Sequence, residues 1–248
     1  MSELITNTYV AEQLRAALKR KDGYLMGAYG QKMATLKYGK ENWLIEQYKG
    51  EQHDKAVYWL NHAEYCWDCN GLLEGIYLKA TGININMRAR DNYHTWCGAK
   101  GKFPIPVEYR FPATCVFSSS TNSIDNITHV GYLDEPVNPD DPAGDWWVIE
   151  ARGVMYGVVR TKLSQRSWRW WGLPTKYVKF EKSPEFVRGD YVVIASSLNV
   201  RAGAGTDYAI IDTVHKGDRL IAGDKNGWTP IKHNGVVGWV SSQYIEEV

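Results

Sequence analysis

Neither sign of charge dominates this chain: 29 Lys and Arg face 28 Asp and Glu in 248 residues, for a formal net charge of +1. Proteins that hold nucleic acid by neutralising phosphates carry a basic excess, so that class of function is set aside. Long apolar runs are missing as well. None approaches the roughly 18 residues needed to span a bilayer, so no membrane partner is expected. The first residues, MSELITNTYVAEQLRAALKRK, lack the basic-then-apolar order of a signal peptide. The expectation is a protein kept in the cytoplasm with its thiols reduced, released by something other than a signal sequence if it acts outside a cell. Cysteine is scarce, at four residues.

What is present is an ordinary globular composition, 44% hydrophobic and 23% charged. The length suits one large domain or a medium domain with a small one. In the N-terminal stretch Val10, Leu14, Ala17 and Leu18 recur at helical spacing. The chain changes character near Ser183-Pro184-Glu185. Helical and strand-like patterns mix before it; after it, short β-prone runs alternate with glycine-bearing turns at Ala202-Gly203, Lys216-Gly217-Asp218, Asn226-Gly227 and Asn234-Gly235. That pattern predicts a small antiparallel barrel, with Asn234-Gly235 as its clearest hairpin.

The segment YCWDCNGLL holds Cys66 and Cys69. Leu72, Leu73, Ile76, Tyr77 and Ala80 are spaced as a buried helix face, Gly82 suits the helix stop, and Asp68 and Asn70 are residue types that start helices. Cys69 is therefore expected at a helix N-terminus, where free N–H groups and the helix dipole favour a thiolate. Gly71 would leave the first turn open to a substrate backbone. Two other readings compete. A zinc site would join Cys66 and Cys69 to Cys97 and Cys115, but the second pair is far too widely spaced for the usual tight pairs. A redox Cys-x-x-Cys would head a helix in a βαβ unit, and none is evident nearby. Cys66, Cys97 and Cys115 read most simply as buried small apolar residues.

A nucleophilic thiol needs a base, and the base an orienting partner. Of six histidines, His53 and His62 lie in polar helical or loop-like segments, His94 among loop residues, and His215 and His233 in the barrel. His129 lies in a predicted strand where Ile127, His129, Gly131 and Leu133 share one face, with Gly131 leaving that face open beside the imidazole. In the next strand, WWVIEARG, Val148 and Glu150 share a face. Glu150 beside His129 could accept a ring N–H and fix the tautomer; the plainer alternative is an exposed edge glutamate.

Cysteine at a helix start, histidine on a strand and a polar residue on the following strand is the papain-like order of parts. The local sequences resemble the NlpC-type cysteine peptidases of bacterial cell walls and phage lysins. Asp68-Cys69-Asn70-Gly71-Leu72 is similar to the family's Asp-Cys-Ser-Gly motif, and His129-Val130-Gly131-Tyr132 to its His-Val-Gly motif. Glu150 falls at its third polar position, Tyr24-Leu25-Met26-Gly27 resembles its upstream Tyr motif, and RSWRWWGLP (166–174) resembles a motif near the end of such domains. Asn70 replaces the family's serine, Glu150 the commoner histidine, and the stretch from Gly30 to Tyr65, with a predicted helix in AVYWLNHAEY, is longer than usual. Farther on, LNVRAGAGTDY, KGD, NGW and GWVSSQYI resemble the landmarks of bacterial SH3-like domains, which bind cell-wall peptidoglycan. Residues 186–248 hold six Lys and Arg against seven Asp and Glu, so wall attachment would rest on shape and on aromatics such as Trp228, Trp239 or Tyr244 unless these are barrel core.

The resemblances imply an α+β protein. A papain-like catalytic domain (1–178) and a linker (179–187) would precede a small all-β SH3-like wall-binding barrel (188–248). They imply a peptidoglycan hydrolase of the phage endolysin kind, with Cys69 as nucleophile, His129 as base and Glu150 as orienting group. Tyr24 and Asp68 would be substrate-binding, and no metal or cofactor would be required. The implied reaction is D-glutamyl–diamino acid endopeptidase cleavage. An amidase cutting before L-alanine and a non-catalytic wall-binding protein remain as alternatives.

Overall fold

The computed structural model describes residues 4–34, 43–181, 189–201, 203–223, 227–233 and 236–248. The chain divides into two compact units, Met1–Glu181 and Lys182–Val248. The first is mixed α/β with three sheets; the second is built on one sheet.

The first unit opens with strand β1 (Ile5–Thr6) and helix α1 (Asn7–Arg20). The Thr6 hydroxyl accepts the Tyr9 N–H at 3.2 Å and caps the helix. Val10, Leu14 and Ala17 bury the expected stripe, joined by Ala11, while Leu18 is only partly buried. A small sheet follows in the order β2 (Gly23–Tyr24), β4 (Tyr65–Trp67), β3 (Tyr29–Lys32), with β2 parallel to β4. Between β3 and β4 lies α2 (Glu51–His62). The helix expected in AVYWLNHAEY therefore exists but stops at His62, because Ala63 turns extended and Tyr65 already pairs in β4. Helix α3 (Gly71–Thr81) leaves β4, buries Leu72, Leu73, Ile76 and Tyr77, and ends at Gly82 in the left-handed conformation (φ 74°). Ala80, expected on the buried face, is exposed.

The main sheet is antiparallel throughout. Its strands are β5 (Ala99–Lys102), β6 (Cys115–Ser119), β7 (Ile127–Pro136), β8 (Trp146–Ala151), β9 (Val158–Lys162) and β10 (Trp170–Leu173). The spatial order is β5-β10-β6-β7-β8-β9. Alternation divides its side chains cleanly. Phe117, Val130, Tyr132, Ile149 and Ala151 share a core with Leu14 of α1 and Leu72, Leu73 and Tyr77 of α3. Val116, Leu133 and Val148 point the other way, into a second core with Leu163, Trp168 and Trp171. Both faces are covered, so a polar group on either one loses water.

The unit closes on its own beginning. Strand β11 (Val178–Lys179) runs parallel to β1. The fully buried Asn7 accepts the Glu181 N–H at 3.0 Å and donates to the Glu181 carbonyl at 3.3 Å. Lys179, expected to begin a linker, thus lies in a strand, and residues 182–187 of that linker lie outside the described residues.

The second unit places seven strands in one antiparallel sheet: β12 (Gly189–Val193), β13 (Ser197–Arg201), β14 (Ile210–His215), β15 (Arg219–Ala222), β16 (Trp228–His233), β17 (Val236–Ser241) and β18 (Ile245–Glu247). Residues 202, 226, 234 and 235 of the expected turns lie outside the described residues, but β16 and β17 pair antiparallel up to His233 and Val236 on either side of Asn234-Gly235. The core is aliphatic, built from residues such as Val200, Val214, Leu220, Ile231 and Val240. Trp228 and Trp239 are half-buried and Tyr244 is 42% exposed, so none of the three aromatics belongs to that core. No helix among the described residues is long and apolar enough to cross a membrane.

Replacing Asn7 with Ala leaves the Glu181 backbone groups without partners. We expect a loss of about 1–3 kcal/mol in urea unfolding of the full chain, the usual penalty for orphaned buried polar groups.

Candidate active site

Trp67 ends β4, and the next residues begin the helical turn that becomes α3. Asn70 stands at the formal cap position but is helical and makes no capping bond. Asp68 does that work: one carboxylate oxygen accepts the Gly71 N–H at 2.6 Å and the other the Gly27 N–H at 2.9 Å. Its own N–H donates to the Ala28 carbonyl at 2.6 Å, locking the 25–28 segment against the helix start. A Cβ at Gly71 would collide with that same carbonyl oxygen. The space expected to admit a substrate backbone is filled by the protein's own chain.

Cys69 sits inside this turn, half-buried, and its thiol lies 3.9 Å from the Thr128 carbonyl. The Val130 N–H also reaches the sulphur. The thiol therefore meets the main chain of β7 on either side of His129. Strand β7 carries a bulge here: Ser118 pairs with His129, but Ser119 pairs with Ile127. The expected common face of Ile127 and His129 is broken by that extra residue. Ile127 turns into the core with Val130 and Tyr132.

His129 Nε2 donates to Glu150 Oε2 at 2.6 Å, which leaves Nδ1 as the ring nitrogen able to act on a neighbour. The imidazole stacks on the Trp168 indole, with centroids 5.9 Å apart and planes 13° apart. Gly131 is small for that reason: a Cβ there would stand 2.8 Å from both Trp168 and Val148. The room expected beside the imidazole belongs to the indole.

Glu150 is 0% exposed, which removes the exposed-edge alternative. Oε2 also accepts from Arg166 at 3.0 Å, and Oε1 accepts the Thr161 hydroxyl at 3.0 Å. Burial alone would raise the Glu150 carboxyl, but His129, Arg166 and Thr161 together hold it below its ordinary value. It stays ionised even as the pH falls below the usual glutamate range. The sequence offered little warning of these supports. Arg166 and Trp168 sit in RSWRWWGLP without an evident role, and Thr161 lies diagonally across from Glu150, because Thr161 pairs with Val148 and Glu150 with Val159.

The thiol itself departs from expectation. Burial first, and then the Asp68 charge, push it up to about 12, outweighing the Val130, Asn70 and Cys69 N–H groups that pull it down. Asp68 takes the Gly71 N–H, and the N–H groups left to the sulphur do not offset burial, so the expected thiolate is not the resting form. Tyr24, paired beside Trp67 in β2, is close enough to feel both Cys69 and Asp68. Burial and those two groups push its hydroxyl far upward, so it remains a hydrogen-bond donor. The Tyr132 hydroxyl donates to the Cys69 carbonyl at 3.1 Å.

Asn70 points inward. It donates to Glu74 Oε1 at 2.8 Å and to the Met87 carbonyl at 2.9 Å, and accepts from Asn92 at 2.8 Å. The four-cysteine zinc set is not assembled. Cys66 packs with Trp59 and Leu25, while Cys97 and Cys115 lie in the other core beside Asn92. All four thiols are free, and no group of three or more metal-ligating side chains occurs among the described residues. His53 and His94 lie beside Asp54 and Asp125, and His62 bonds the Tyr58 carbonyl.

Comparison with known proteins identifies the second unit. Residues 196–246 match the bacterial SH3 domain. A Bacillus subtilis (strain 168) protein named "Putative N-acetylmuramoyl-L-alanine amidase YrvJ" is 51% identical to this chain over 51 residues. That match takes in 20% of this chain and spans only 10% of YrvJ's length. Two solved structures, "The crystal structure of Ly7917" and "The crystal structure of Ly7917 with the hydrolyzing product of MDP", align over 98% of this chain at 13% and 14% identity. Their TM-scores are 0.34 and 0.32, too low to establish a shared fold.

Two outcomes follow for the helix start. Gly71→Ala must push α3 away from Ala28, and we expect a loss of about 1–3 kcal/mol, read by urea unfolding. Glu74 is buried, and burial raises its carboxyl from 4.5 to about 7. The folded chain thus keeps a proton that the unfolded chain releases between those values. This contribution to stability is complete below pH 4.5 and lost as the pH rises through 7. Wild type should therefore lose stability relative to Glu74→Gln between pH 4.5 and 7.5; a constant difference between the two proteins would refute the assignment.

Proposed function

We propose that this chain is a peptidoglycan hydrolase. Its first unit is a papain-like cysteine peptidase cutting an amide of the wall's stem peptide, and its bacterial SH3 domain holds the enzyme on the wall. The observation that carries the reading is the 2.6 Å bond from His129 to the fully buried Glu150, with the Cys69 sulphur against the main chain of β7 at the residues flanking His129. Nucleophile, base and orienting carboxylate are the parts of covalent amide hydrolysis, and the sequence motifs that resemble NlpC-type peptidases fall on these residues. The bacterial SH3 match and the short likeness to YrvJ support a wall-directed protein.

In the mechanism, His129 Nδ1 takes the thiol proton as sulphur attacks the substrate carbonyl, because a thiol pushed up to about 12 is not ionised beforehand. Glu150 stabilises the imidazolium that forms. The Cys69 N–H and the Tyr24 hydroxyl are the donors suited to the developing oxyanion. His129 then returns the proton to the leaving amine, and water resolves the thioacyl enzyme by the reverse path.

The bond we favour is that between D-glutamate and the diamino acid. Both Asp68 oxygens accept backbone N–H groups and Asn70 is turned inward, so neither is disposed to hold a free substrate ammonium. That favours stems whose L-alanine is still acylated. It also keeps a second reading in play, an amidase cutting between the muramyl sugar and L-alanine.

Cys69→Ala should abolish turbidity loss of purified cell walls while leaving wall binding intact. Mass spectrometry of the fragments then assigns the bond: a new amine on the diamino acid supports the endopeptidase, one on L-alanine the amidase. Lysis that survives Cys69→Ala overturns the proposal. Glu150→Gln should cost less than the roughly 10²–10⁴-fold typical of losing a general base. Removing residues 188–248 should weaken wall attachment and spare cleavage of small soluble fragments.

A further inference from the structure

Glu150 Oε2 is shared. It accepts His129 Nε2 at 2.6 Å and Arg166 at 3.0 Å, while Thr161 occupies Oε1. Arg166 also lies over the Trp168 ring, its guanidinium carbon 5.6 Å from the centroid, and Trp168 is the ring stacked on His129. One side chain therefore touches both things that hold the imidazole, its carboxylate and its stacking partner. Glu150 and Trp168 are both buried and Arg166 is 27% exposed, so water screens this contact only in part.

We propose that Arg166 is a positioning residue that divides the Glu150 charge between itself and His129, and so sets the pH window of the site. This rests on the cysteine peptidase reading above. An unshared, water-free carboxylate would draw strongly on an imidazolium. With Arg166 on the same oxygen, Glu150 still orients Nε2 through a short bond, but part of its attraction is answered by a permanent cation that also repels an imidazolium. Nδ1 is left as the ring nitrogen that would take the thiol proton during attack. The other charged or titratable groups around the pair are Asp68 and Cys69 before α3 and Tyr24 in β2. Arg166 is the sole cation bonded to Glu150 among the described residues.

The test is the pH dependence of kcat/KM for full-length protein on soluble wall fragments, with Cys69→Ala as the blank. Arg166→Met keeps the aliphatic cover on Trp168 and removes the charge; Arg166→Gln removes the charge with a polar replacement; Arg166→Lys retains it. Thermal melting establishes which variants fold. We expect the acid limb of the profile to move to higher pH by roughly one unit in the Met or Gln variant, and to return towards the wild-type position in Arg166→Lys. A folded Met or Gln variant whose acid limb stays in place, whether its maximum falls or not, overturns the proposal and leaves Arg166 a packing residue. Cleavage by Cys69→Ala equal to wild type would instead remove the peptidase reading on which it stands.

Discussion

A carboxylate with no solvent contact, in the strand next to the edge of a sheet covered on both faces, is the constraint around which the first unit's site is built. An ionised Glu150 is tolerable there only because three donors meet it. One comes from β7, one from β9 and one from the segment before β10. Those three segments must be in register at once for the charge to be satisfied. The pairing β7-β8-β9 and the return of Arg166 over the sheet are thus tied to the imidazole geometry by electrostatics as well as by packing. Trp168 completes the arrangement, with Gly131 supplying the room that its indole needs.

The nucleophile is held by a separate device. Asp68 bonds two backbone N–H groups from different segments, and the Ala28 carbonyl fills the space over Gly71. Asn70, Glu74 and Asn92 anchor the same turn from inside. The thiol is consequently fixed against β7, where the bulge at 127–128 opens the strand. The cost of this fixity is electrostatic. Burial of the sulphur, and then the carboxylate beside it, outweigh the N–H groups that reach it, and the thiol stays protonated until a base acts.

The linear sequence made much of this legible. The apolar spacing of α1 and α3, the left-handed stop at Gly82 and the alternation of β8 all follow from local rules. The cysteine, histidine and glutamate could be singled out because each residue type suits its chemical task and each lay on a recognisable element. Errors arose where a neighbour distant in sequence occupied the space. Gly71 and Gly131 each read as openings, yet each accommodates a group from elsewhere in the chain, the Ala28 carbonyl and the Trp168 indole. Ile127 and His129 were assigned one face because a bulge leaves no mark in an alternating pattern.

Sequence alone thus determined where α1 and α3 form, that Cys69 stands at a helix start with Asp68 as a capping residue, and that residues 188–248 resemble a bacterial SH3-like barrel, since periodicity, turn chemistry and motif order are local properties. Only the tertiary structure decided that Glu150 is buried rather than exposed, that Arg166, Thr161 and Trp168 support the histidine, and that Cys69 rests as a thiol. Each of those depends on burial and on charges brought together across tens of residues, and neither quantity exists until the chain has folded.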